Sequence, residues 1–309
     1  MPKPTAPTLI TVLGPTATGK TRLAVAIAAR IGGEIISADS RQVYQGMDIG
    51  TGKDLEEYQV GDRRIKYHLI DILKPETDFS VFDFQKLFYE TFADIRRRGA
   101  FPMMVGGTSL YLDSVLRGYQ LYKTPENPEL RARLADSNMD ELEILLKSLN
   151  ENPHNTSDLK TREHAIRAIE ILEFKKLNHD KRSRPPCVIH SLNIGIRLER
   201  DEIRNRICKR LRQRLETGMI AEAQALRDAG LPWERFAYFG LEYKYLALFL
   251  QDLMSAEEME EKLVTQIGRF AKRQLTWFRK MERHGILIHW FSPDDREGAM
   301  AVIAEAGIA

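Results

Sequence analysis

One eight-residue segment near the start of the chain restricts its fold more than any other feature. Residues 14–21 read Gly-Pro-Thr-Ala-Thr-Gly-Lys-Thr, which matches the pattern G-x-x-x-x-G-K-[ST]. The apolar run Leu9–Leu13 precedes it, and apolar residues recur at helical spacing after it. A strand, a glycine-rich turn and a helix N-terminus in this order bind phosphate through backbone N–H groups. The segment therefore predicts a phosphate-binding loop in an α/β fold.

The residue types in this segment have separate chemical roles. Its glycines let backbone N–H groups point inward at phosphate oxygens, and the helix N-terminus adds a positive dipole end. Lys20 supplies a positive charge, and the Thr21 hydroxyl can hold Mg²⁺. Loops of this kind are typical of ATP-binding and other nucleotide-binding proteins. The predicted phosphate site consists of Gly14, Pro15, Thr16, Ala17, Thr18, Gly19, Lys20 and Thr21.

Strand-like and helical patterns alternate in the first third of the chain and return near its end. Apolar runs predict strands at residues 9–13, 35–38, 67–73, 101–105, 192–198 and 286–291. Helical periodicity marks residues 82–98, 201–229 and 256–283. Alternation of this kind favours a parallel sheet covered by helices on both faces.

The pattern changes between these two parts. Residues 128–176 are helical in pattern with a loop at 150–155, and they contain no convincing strand. We therefore predict a P-loop NTPase-like parallel-sheet core formed by residues 1–121 and 190–292, interrupted by a helical insertion domain at 122–189. The Ala-rich, acidic tail at 293–309 is expected to be poorly ordered.

The total charge of the chain hides two basic segments. There are 46 basic and 44 acidic residues, a net charge of +2, which excludes a globally basic nucleic-acid coat protein. Residues 197–214 nevertheless contain eight Arg or Lys against three Asp or Glu, and residues 262–283 contain seven against one. Charge counts alone leave two interpretations open, a solvated helix face or an anion-binding surface.

The two cysteines and the lack of a long apolar run limit the possible compartments. Cys187 and Cys208 are 21 residues apart, which provides neither a zinc cluster nor a disulfide framework. No apolar run reaches the ~18 residues of a membrane span. We expect a cytoplasmic protein without membrane attachment.

A phosphate-binding loop does not by itself define the reaction. Motor and switch ATPases usually hold Mg²⁺ with an Asp at the end of a hydrophobic strand. Here the run 101–105 ends in Gly106-Gly107-Thr108, and Asp71 is only a weaker substitute. The pattern leaves a small-molecule kinase or an enzyme that binds a diphosphate leaving group.

Asp39 follows the second predicted strand and is the next informative residue. The carboxyl ends of parallel strands form the crevice in which α/β proteins bind ligands. A carboxylate there can act as a general base or assist a metal ion. Asp39 can equally cap the backbone of the following turn, and its position alone does not decide between these roles.

Several segments together resemble the tRNA dimethylallyltransferase family. Beside residues 14–21, they are 37–44, 46–53, 106–111, 167–170 and 271–279. They occur in the family's order and span most of the chain. The resemblance implies transfer of a dimethylallyl group from dimethylallyl diphosphate to the exocyclic amine of the adenosine next to the anticodon of tRNA, with release of diphosphate.

The resemblance also implies roles for individual residues. Diphosphate would bind the loop at 14–21 with Mg²⁺ as cofactor at Thr21, and Arg206 and Arg210 would help to bind it. Asp39 would accept the amine proton, and Thr108 would contact the target nucleotide. The implied catalytic set is Asp39, Lys20, Thr21 and Thr108.

The implied contacts with the tRNA anticodon stem-loop form a longer set. Its members are Asp39, Ser40, Arg41, Gln42, Thr108, Arg131, Glu163, His164, Ala165, Ile166, Arg167, Arg269, Lys272 and Arg273, with Arg162 nearby. The aromatic residues Tyr111, Trp277 and Phe278 are expected in the core rather than stacked on bases.

Two positions depart from the family pattern. His164 stands where members often have Arg. Ala237 stands where some members have an Arg that assists the leaving group, and Arg235 is nearby but out of register. Two alternatives remain, an adenylate isopentenyltransferase acting on a free nucleotide and a P-loop small-molecule kinase. We expect a monomer.

Overall fold

The computed structural model describes residues 6–149, 159, 161–178 and 183–308. The strands are β1 (Leu9–Leu13), β2 (Gly33–Ser37), β3 (Gln59–Val60), β4 (Arg63–Arg64), β5 (Tyr67–His68), β6 (Phe101–Gly106), β7 (Ser191–Ile196) and β8 (His289–Phe291). Strands β3 and β4 pair as an antiparallel hairpin. The other six form one parallel sheet in the order β5-β2-β6-β1-β7-β8, which confirms the predicted parallel α/β core.

The helices begin where the sequence offers capping signals. They are α1 (Lys20–Ile31), α2 (Val81–Arg97), α3 (Ser109–Leu116), α4 (Pro128–Arg133), α5 (Met139–Leu149), α6 (Arg162–Leu177), α7 (Arg200–Glu216), α8 (Met219–Asp228), α9 (Trp233–Phe236), α10 (Leu241–Leu250), α11 (Ala256–Arg283) and α12 (Arg296–Glu305). Ser80 and Ser255 form capping boxes with Asp83 and Glu258, which fix the starts of α2 and α11.

Both faces of the sheet are buried by helices. Successive residues of a strand point to opposite faces, so they belong to different apolar clusters. Leu9 and Leu13 of β1 belong to one apolar cluster, which includes residues of α2, α7 and α11. Ile10 and Val12 belong to a second cluster, which includes residues of α1 and α12. Strands buried in this way read as continuous apolar runs, which is why β1, β6 and β7 were recognisable in the sequence.

Several predicted elements have different limits in the structure, and the backbone explains two of these differences. The strand predicted at 67–73 ends at His68, because Leu69 and Asp71 have positive φ angles of 60° and 56° that interrupt extended backbone. The helix predicted at 201–229 is divided into α7 and α8 at Gly218, whose φ is 109°. A residue in that conformation leaves the right-handed helical region.

The prediction of a poorly ordered tail after Pro293 is wrong. Residues 296–305 form α12, and the Asp295 side chain caps it by accepting a hydrogen bond from the Gly298 N–H at 2.9 Å. Ala299 and Ile303, four residues apart on one face, are completely buried in the second apolar cluster. The alanine and acidic content of the tail does not reveal this short apolar stripe.

The chain divides into two compact units. The first consists of residues 1–118 and 187–309 and contains the six-stranded sheet. The second consists of residues 119–186, where α4, α5 and α6 share a small core around Leu130, Leu142 and Ile169. The loop predicted at 150–155 lies outside the described residues. None of the described helices is long and apolar enough to cross a membrane.

Candidate active site

The loop between β1 and α1 has a tightly turned backbone. Ala17 has a φ of 63°, a conformation that costs a non-glycine residue about 1–3 kcal/mol. The Thr18 hydroxyl donates to the Pro15 carbonyl oxygen at 2.8 Å, and the Lys20 ammonium donates to the same oxygen at 2.7 Å. Backbone held in this way, at the start of a helix, is typical of anion-binding loops.

Two close backbone approaches bring the strand ends together at this loop. A Cβ atom at Gly14 would lie 2.5 Å from the Ile196 carbonyl oxygen at the end of β7. A Cβ atom at Gly106, at the end of β6, would overlap the Ala38 carbonyl oxygen after β2. Glycine is needed at both positions, because any side chain would push the strand ends apart. The carboxyl ends of four neighbouring strands therefore surround the phosphate loop.

Gln274 of α11 connects the phosphate loop to the end of β6. Its amide oxygen accepts a hydrogen bond from the Thr16 N–H at 2.9 Å, and its amide nitrogen donates to the Gly107 carbonyl oxygen at 2.7 Å. The residue is only 5% exposed. Because both ends of the amide are used, this side chain fixes the separation between the loop and Gly107.

We expect Gln274→Leu to destabilise the protein and to weaken its phosphate site. Leucine fills similar space but leaves the buried Thr16 N–H and Gly107 carbonyl without partners, at about 1–3 kcal/mol each. Urea unfolding and titration with diphosphate measure the two effects. The control is Gln266→Leu, two turns earlier on α11 and without a side-chain hydrogen bond in the described part of the chain. Equal behaviour of the two variants would contradict the assignment.

Asp39 lies two residues after the end of β2, and its contacts are compatible with two roles. Its Oδ1 atom accepts hydrogen bonds from the backbone N–H groups of Arg41 and Gln42, at 2.8 and 3.4 Å. It is therefore the turn cap that the sequence allowed. Among the described residues, none donates a hydrogen bond to the second oxygen, Oδ2, and the charge of Asp39 acts on Lys20 of the loop. The two interpretations left open by the sequence are thus compatible.

Thr108 is held beside Asp39 by backbone contacts. The Ser40 N–H donates to the Thr108 hydroxyl oxygen at 3.0 Å, and the Thr108 N–H donates to the Ala38 carbonyl oxygen at 3.2 Å. Thr108 also precedes α3, so it lies at a strand end and a helix start together. Three of the four predicted catalytic residues, Lys20, Asp39 and Thr108, are brought together at this sheet edge, and Thr21 follows Lys20 in the first turn of α1.

The electrostatic environment of Lys20 is mainly that of a buried cation. The pKa of Lys20 is lowered to about 8: burial is the largest cause, repulsion from Arg210 acts in the same direction, and attraction to Asp39 opposes both. The ammonium group remains mostly protonated at neutral pH. It loses its charge as the pH rises through about 8, and with it the attraction for an anion.

A cleft beside the loop has an empty volume of about 290 Å³, counting the part open to solvent. Its apolar lining comes from Ala17, Ile207, Leu211 and Ile267, and its polar lining from Thr16, Arg210, Arg214 and Glu242. Burial lowers the pKa of Arg210 to about 10, and repulsion from Arg214 acts in the same direction. Burial raises the pKa of Glu242, although both arginines oppose it.

Arg206 lies one turn before Arg210 on α7, at the mouth of the phosphate loop. A Cβ atom placed on Gly19 would be 4.0 Å from the Arg206 Nη1 atom. The guanidinium group also donates to Glu202 at 2.8 Å, an exposed pair of small energetic value. Both arginines predicted to bind diphosphate are thus near the loop.

The segment that follows Asp39 is fixed from two sides. The Glu222 carboxylate accepts hydrogen bonds from the N–H groups of Asp48, Ile49 and Gly50 at 2.6–2.9 Å. Lys53 is 2% exposed and forms ion pairs with Asp48 and Asp71. Since Asp71 is neutralised in this way, it is a structural residue rather than a substitute metal ligand.

The predicted RNA contacts of the second unit have internal partners. Arg131 and Arg167 donate to the buried Glu170; burial raises the pKa of Glu170, but these hydrogen bonds lower it to about 2. Arg162 donates to three carbonyl oxygens after α4. Ala165 is completely buried, so its side chain offers RNA no surface. Around it, the side chains of Glu163 and His164 are exposed and that of Ile166 is partly exposed.

The predicted basic face of α11 is exposed. Arg269, Lys272 and Arg273 all lie on the solvent side of the helix, whereas Ile267 and Phe278 are buried. Tyr111 and Phe278 are core residues as predicted, and the partly buried Trp277 donates to Asp113 at 3.2 Å. Gln42 is bonded to Ser37 and Gly52, which leaves its side chain little freedom for RNA.

Three residues of the site region were missed in the sequence. Gln274 lies within the segment 271–279 but was not distinguished from its neighbours. Glu222 gave no local signal, and Arg214 was only counted as part of the basic segment 197–214, since each acts on residues more than 150 positions away. Only the i, i+4 spacing of Arg214 from Arg210 hinted at a shared face.

The fold and the site together define a class of protein. A strand, a phosphate loop and a helix in a parallel sheet, with a carboxylate at the adjacent strand end, are the features of P-loop α/β proteins. The family model described as IPP transferase matches residues 42–281, and the model described as isopentenyl transferase matches residues 7–74. The chain belongs to the IPP transferase family.

Individual relatives agree with the family assignment. The chain is 51% identical over 298 residues to a protein of Trichlorobacter lovleyi named tRNA dimethylallyltransferase 2, covering 96% of each chain. It is 50% identical to tRNA dimethylallyltransferase 1 of Syntrophus aciditrophicus, covering 94% of this chain and 95% of the relative. The crystal structure of a tRNA isopentenylpyrophosphate transferase from Bacillus halodurans matches with a TM-score of 0.69 and 33% identity, over 97% and 96% of the two chains.

Proposed function

We propose that this chain transfers a dimethylallyl group from dimethylallyl diphosphate to the exocyclic amine of the adenosine next to the anticodon of tRNA, releasing diphosphate. The observation that carries the proposal is the meeting of a phosphate loop with Asp39 and Thr108 at one sheet edge. The names of relatives that share half of its residues over nearly the whole chain support it.

The phosphate loop has the groups needed to activate the leaving group. When the allylic C–O bond breaks, its electron pair departs with the diphosphate and negative charge develops there. Lys20, Arg210 and the N–H groups at the start of α1 would stabilise that charge. The apolar side of the cleft, lined by Ile207 and Leu211, suits a five-carbon hydrocarbon group.

Asp39 has the position required of a base. The adenine nitrogen forms the new N–C bond, and the proton that it loses must be accepted. Asp39 Oδ2 is available for this proton, while Oδ1 keeps the carboxylate oriented through the N–H groups of Arg41 and Gln42. Thr108, bonded to the Ser40 N–H, would contact the same nucleotide.

The residues at the loop fit Mg²⁺ on the chemistry of their donors. Mg²⁺ usually takes one or two protein oxygens and obtains its other ligands from water and substrate phosphates. Thr21 offers such a hydroxyl, and the described residues contain no cluster of three His, Cys, Asp or Glu side chains that would hold a metal alone. When bound, Mg²⁺ would neutralise charge on the departing diphosphate.

An RNA substrate explains the exposed basic face of α11. The target adenine must leave the anticodon stack, which costs a few kcal/mol and has to be offset by backbone contacts. Arg269, Lys272 and Arg273 could supply such contacts. A free nucleotide would not need this face, which disfavours the adenylate isopentenyltransferase.

We also propose that the protein is a cytoplasmic monomer. Free Cys187 and Cys208 are consistent with a reducing compartment.

Incubation with dimethylallyl diphosphate, Mg²⁺ and unmodified tRNA tests the proposal. Nucleoside mass analysis should find adenosine enlarged by one five-carbon unit. Parallel reactions with AMP as the acceptor, and with ATP in place of dimethylallyl diphosphate, separate the two alternatives. Modified AMP with unmodified tRNA would establish the adenylate enzyme, and transfer of the ATP γ-phosphate would establish the kinase.

A further inference from the structure

The strongest unexplained feature of the cleft is Arg214. This residue is 8% exposed, and buried charged groups are normally fully paired. Its guanidinium group has five N–H donors. Within the described parts of the chain it donates one hydrogen bond, to Asp54 at 3.4 Å, and Asp54 is itself more than one-third exposed. The pairing of Arg214 is therefore long and incomplete.

Arg214 belongs to a row of arginines on one face of α7. Arg206, Arg210 and Arg214 follow each other at intervals of four residues, and like charges at this spacing repel. The row begins at Gly19 of the phosphate loop and continues along the cleft. Arg210 has no hydrogen-bond partner among the residues that the structure describes. Such a row is unfavourable unless an anion joins it.

The acidic residues near this row do not replace an anion. Glu57 and Glu242 both face Arg210, and burial raises the pKa of each. Neither donates to or accepts from Arg210 or Arg214 within hydrogen-bond distance in the described structure. Their carboxyl groups balance charge from a distance and leave the guanidinium N–H groups available.

Gly52 makes room for Arg214 at this position. A Cβ atom on Gly52 would overlap the Arg214 Nη2 atom, and Gly52 itself has a positive φ of 64°. The segment 46–53, fixed by Glu222 and Lys53, therefore leaves a slot that holds the guanidinium group at the cleft. The arginine is placed by a built feature of the fold rather than by chance packing.

Arg235 does not add to this row, because it donates to the carbonyl oxygens of Pro75 and Thr77 and pairs with Asp78. We propose that Arg214, together with Arg210, extends the anion site of the phosphate loop into the cleft and binds the diphosphate leaving group there. This inference rests on the proposed function, because the ligand is the diphosphate of that reaction.

The test compares Arg214→Met with Arg214→Lys in the full-length protein. Methionine keeps the length and packing of the side chain without its charge, and lysine keeps the charge. Binding of inorganic diphosphate with Mg²⁺, measured by calorimetry, should weaken about ten- to a hundredfold in Arg214→Met and much less in Arg214→Lys, as for loss of a charged hydrogen bond. Affinity for tRNA should not change.

Asp54→Asn distinguishes an anion site from a structural ion pair. This variant removes the one ion-pair partner that Arg214 has among the described residues. If Arg214 binds diphosphate, Asp54→Asn keeps or tightens that binding; if Arg214 only anchors Asp54, both variants lose thermal stability and neither changes diphosphate affinity. If Arg214→Met does not fold, Arg214→Gln takes its place in the same measurement, because its amide keeps hydrogen-bonding capacity without the charge.

The outcomes separate this inference from the proposed function. Wild-type protein that modifies tRNA while Arg214→Met binds diphosphate normally overturns the role of Arg214 alone. Wild-type protein that binds diphosphate through Arg214 but modifies no tRNA overturns the proposed reaction and leaves the anion site. Failure of the wild type to bind diphosphate at all overturns the anion site.

Discussion

Replacing Asp39 with asparagine should abolish most turnover while leaving tRNA affinity close to that of the wild type. An amide oxygen can still accept the hydrogen bonds from Arg41 and Gln42 that Asp39 Oδ1 accepts at 2.8 and 3.4 Å. The turn after β2 should therefore survive. An amide cannot accept the amine proton, and loss of a general base typically slows an enzyme about 10²–10⁴-fold.

Single-turnover rates and tRNA titrations measure the two halves of this prediction. Asp39→Ala is the matched control, since it removes the base and the turn cap together and should also lower thermal stability, by about 1 kcal/mol. A rate for Asp39→Asn near that of the wild type would show that Asp39 is only a turn cap.

Lys20→Ala is expected to have the second largest effect, on the use of dimethylallyl diphosphate. Lys20 is the positively charged residue of the phosphate loop. Removing one group that stabilises developing charge costs about 10²–10³-fold in rate. The loop itself should persist, because the Thr18 hydroxyl and Gln274 hold it independently of the lysine. Steady-state kinetics should show a higher KM for the diphosphate substrate and a lower kcat. Unchanged values would refute the assignment of the loop.

The pH dependence gives an independent check on the same residue. The pKa of Lys20 is lowered to about 8, so the charged form predominates below that pH and is lost above it. The kcat/KM for dimethylallyl diphosphate should accordingly fall as the pH rises through about 8, since this parameter reports the free enzyme. The decline should disappear in Lys20→Ala. A decline of equal size in the variant would assign it to another group.

The extent to which the fold was predictable differs between elements. Strand β1 and helix α11 have the predicted limits, because a buried parallel strand and a strongly amphipathic, capped helix are visible in consecutive residues. The limits of β5 and the break at Gly218 were missed. Both depend on single residues with positive φ angles, which composition does not reveal.

The basic segments illustrate the same division. Charge counts identified residues 197–214 and 262–283, but they could not separate their members. In the structure, Arg269 and Arg273 are exposed on α11, whereas Arg214 is buried at the cleft. Burial depends on which side of α7 faces the sheet, and a charge count contains no such information.

The sequence by itself determined the phosphate loop, the parallel sheet and the place of Asp39 at a strand end. These features arise from residues that are neighbours in the chain, so local backbone preference and apolar pattern specify them. Only the tertiary structure decided that Gln274 fixes Thr16 across 258 positions and that Gly52 makes room for Arg214. Such contacts join distant segments, and their geometry exists only once helices α7 and α11 have packed on the sheet.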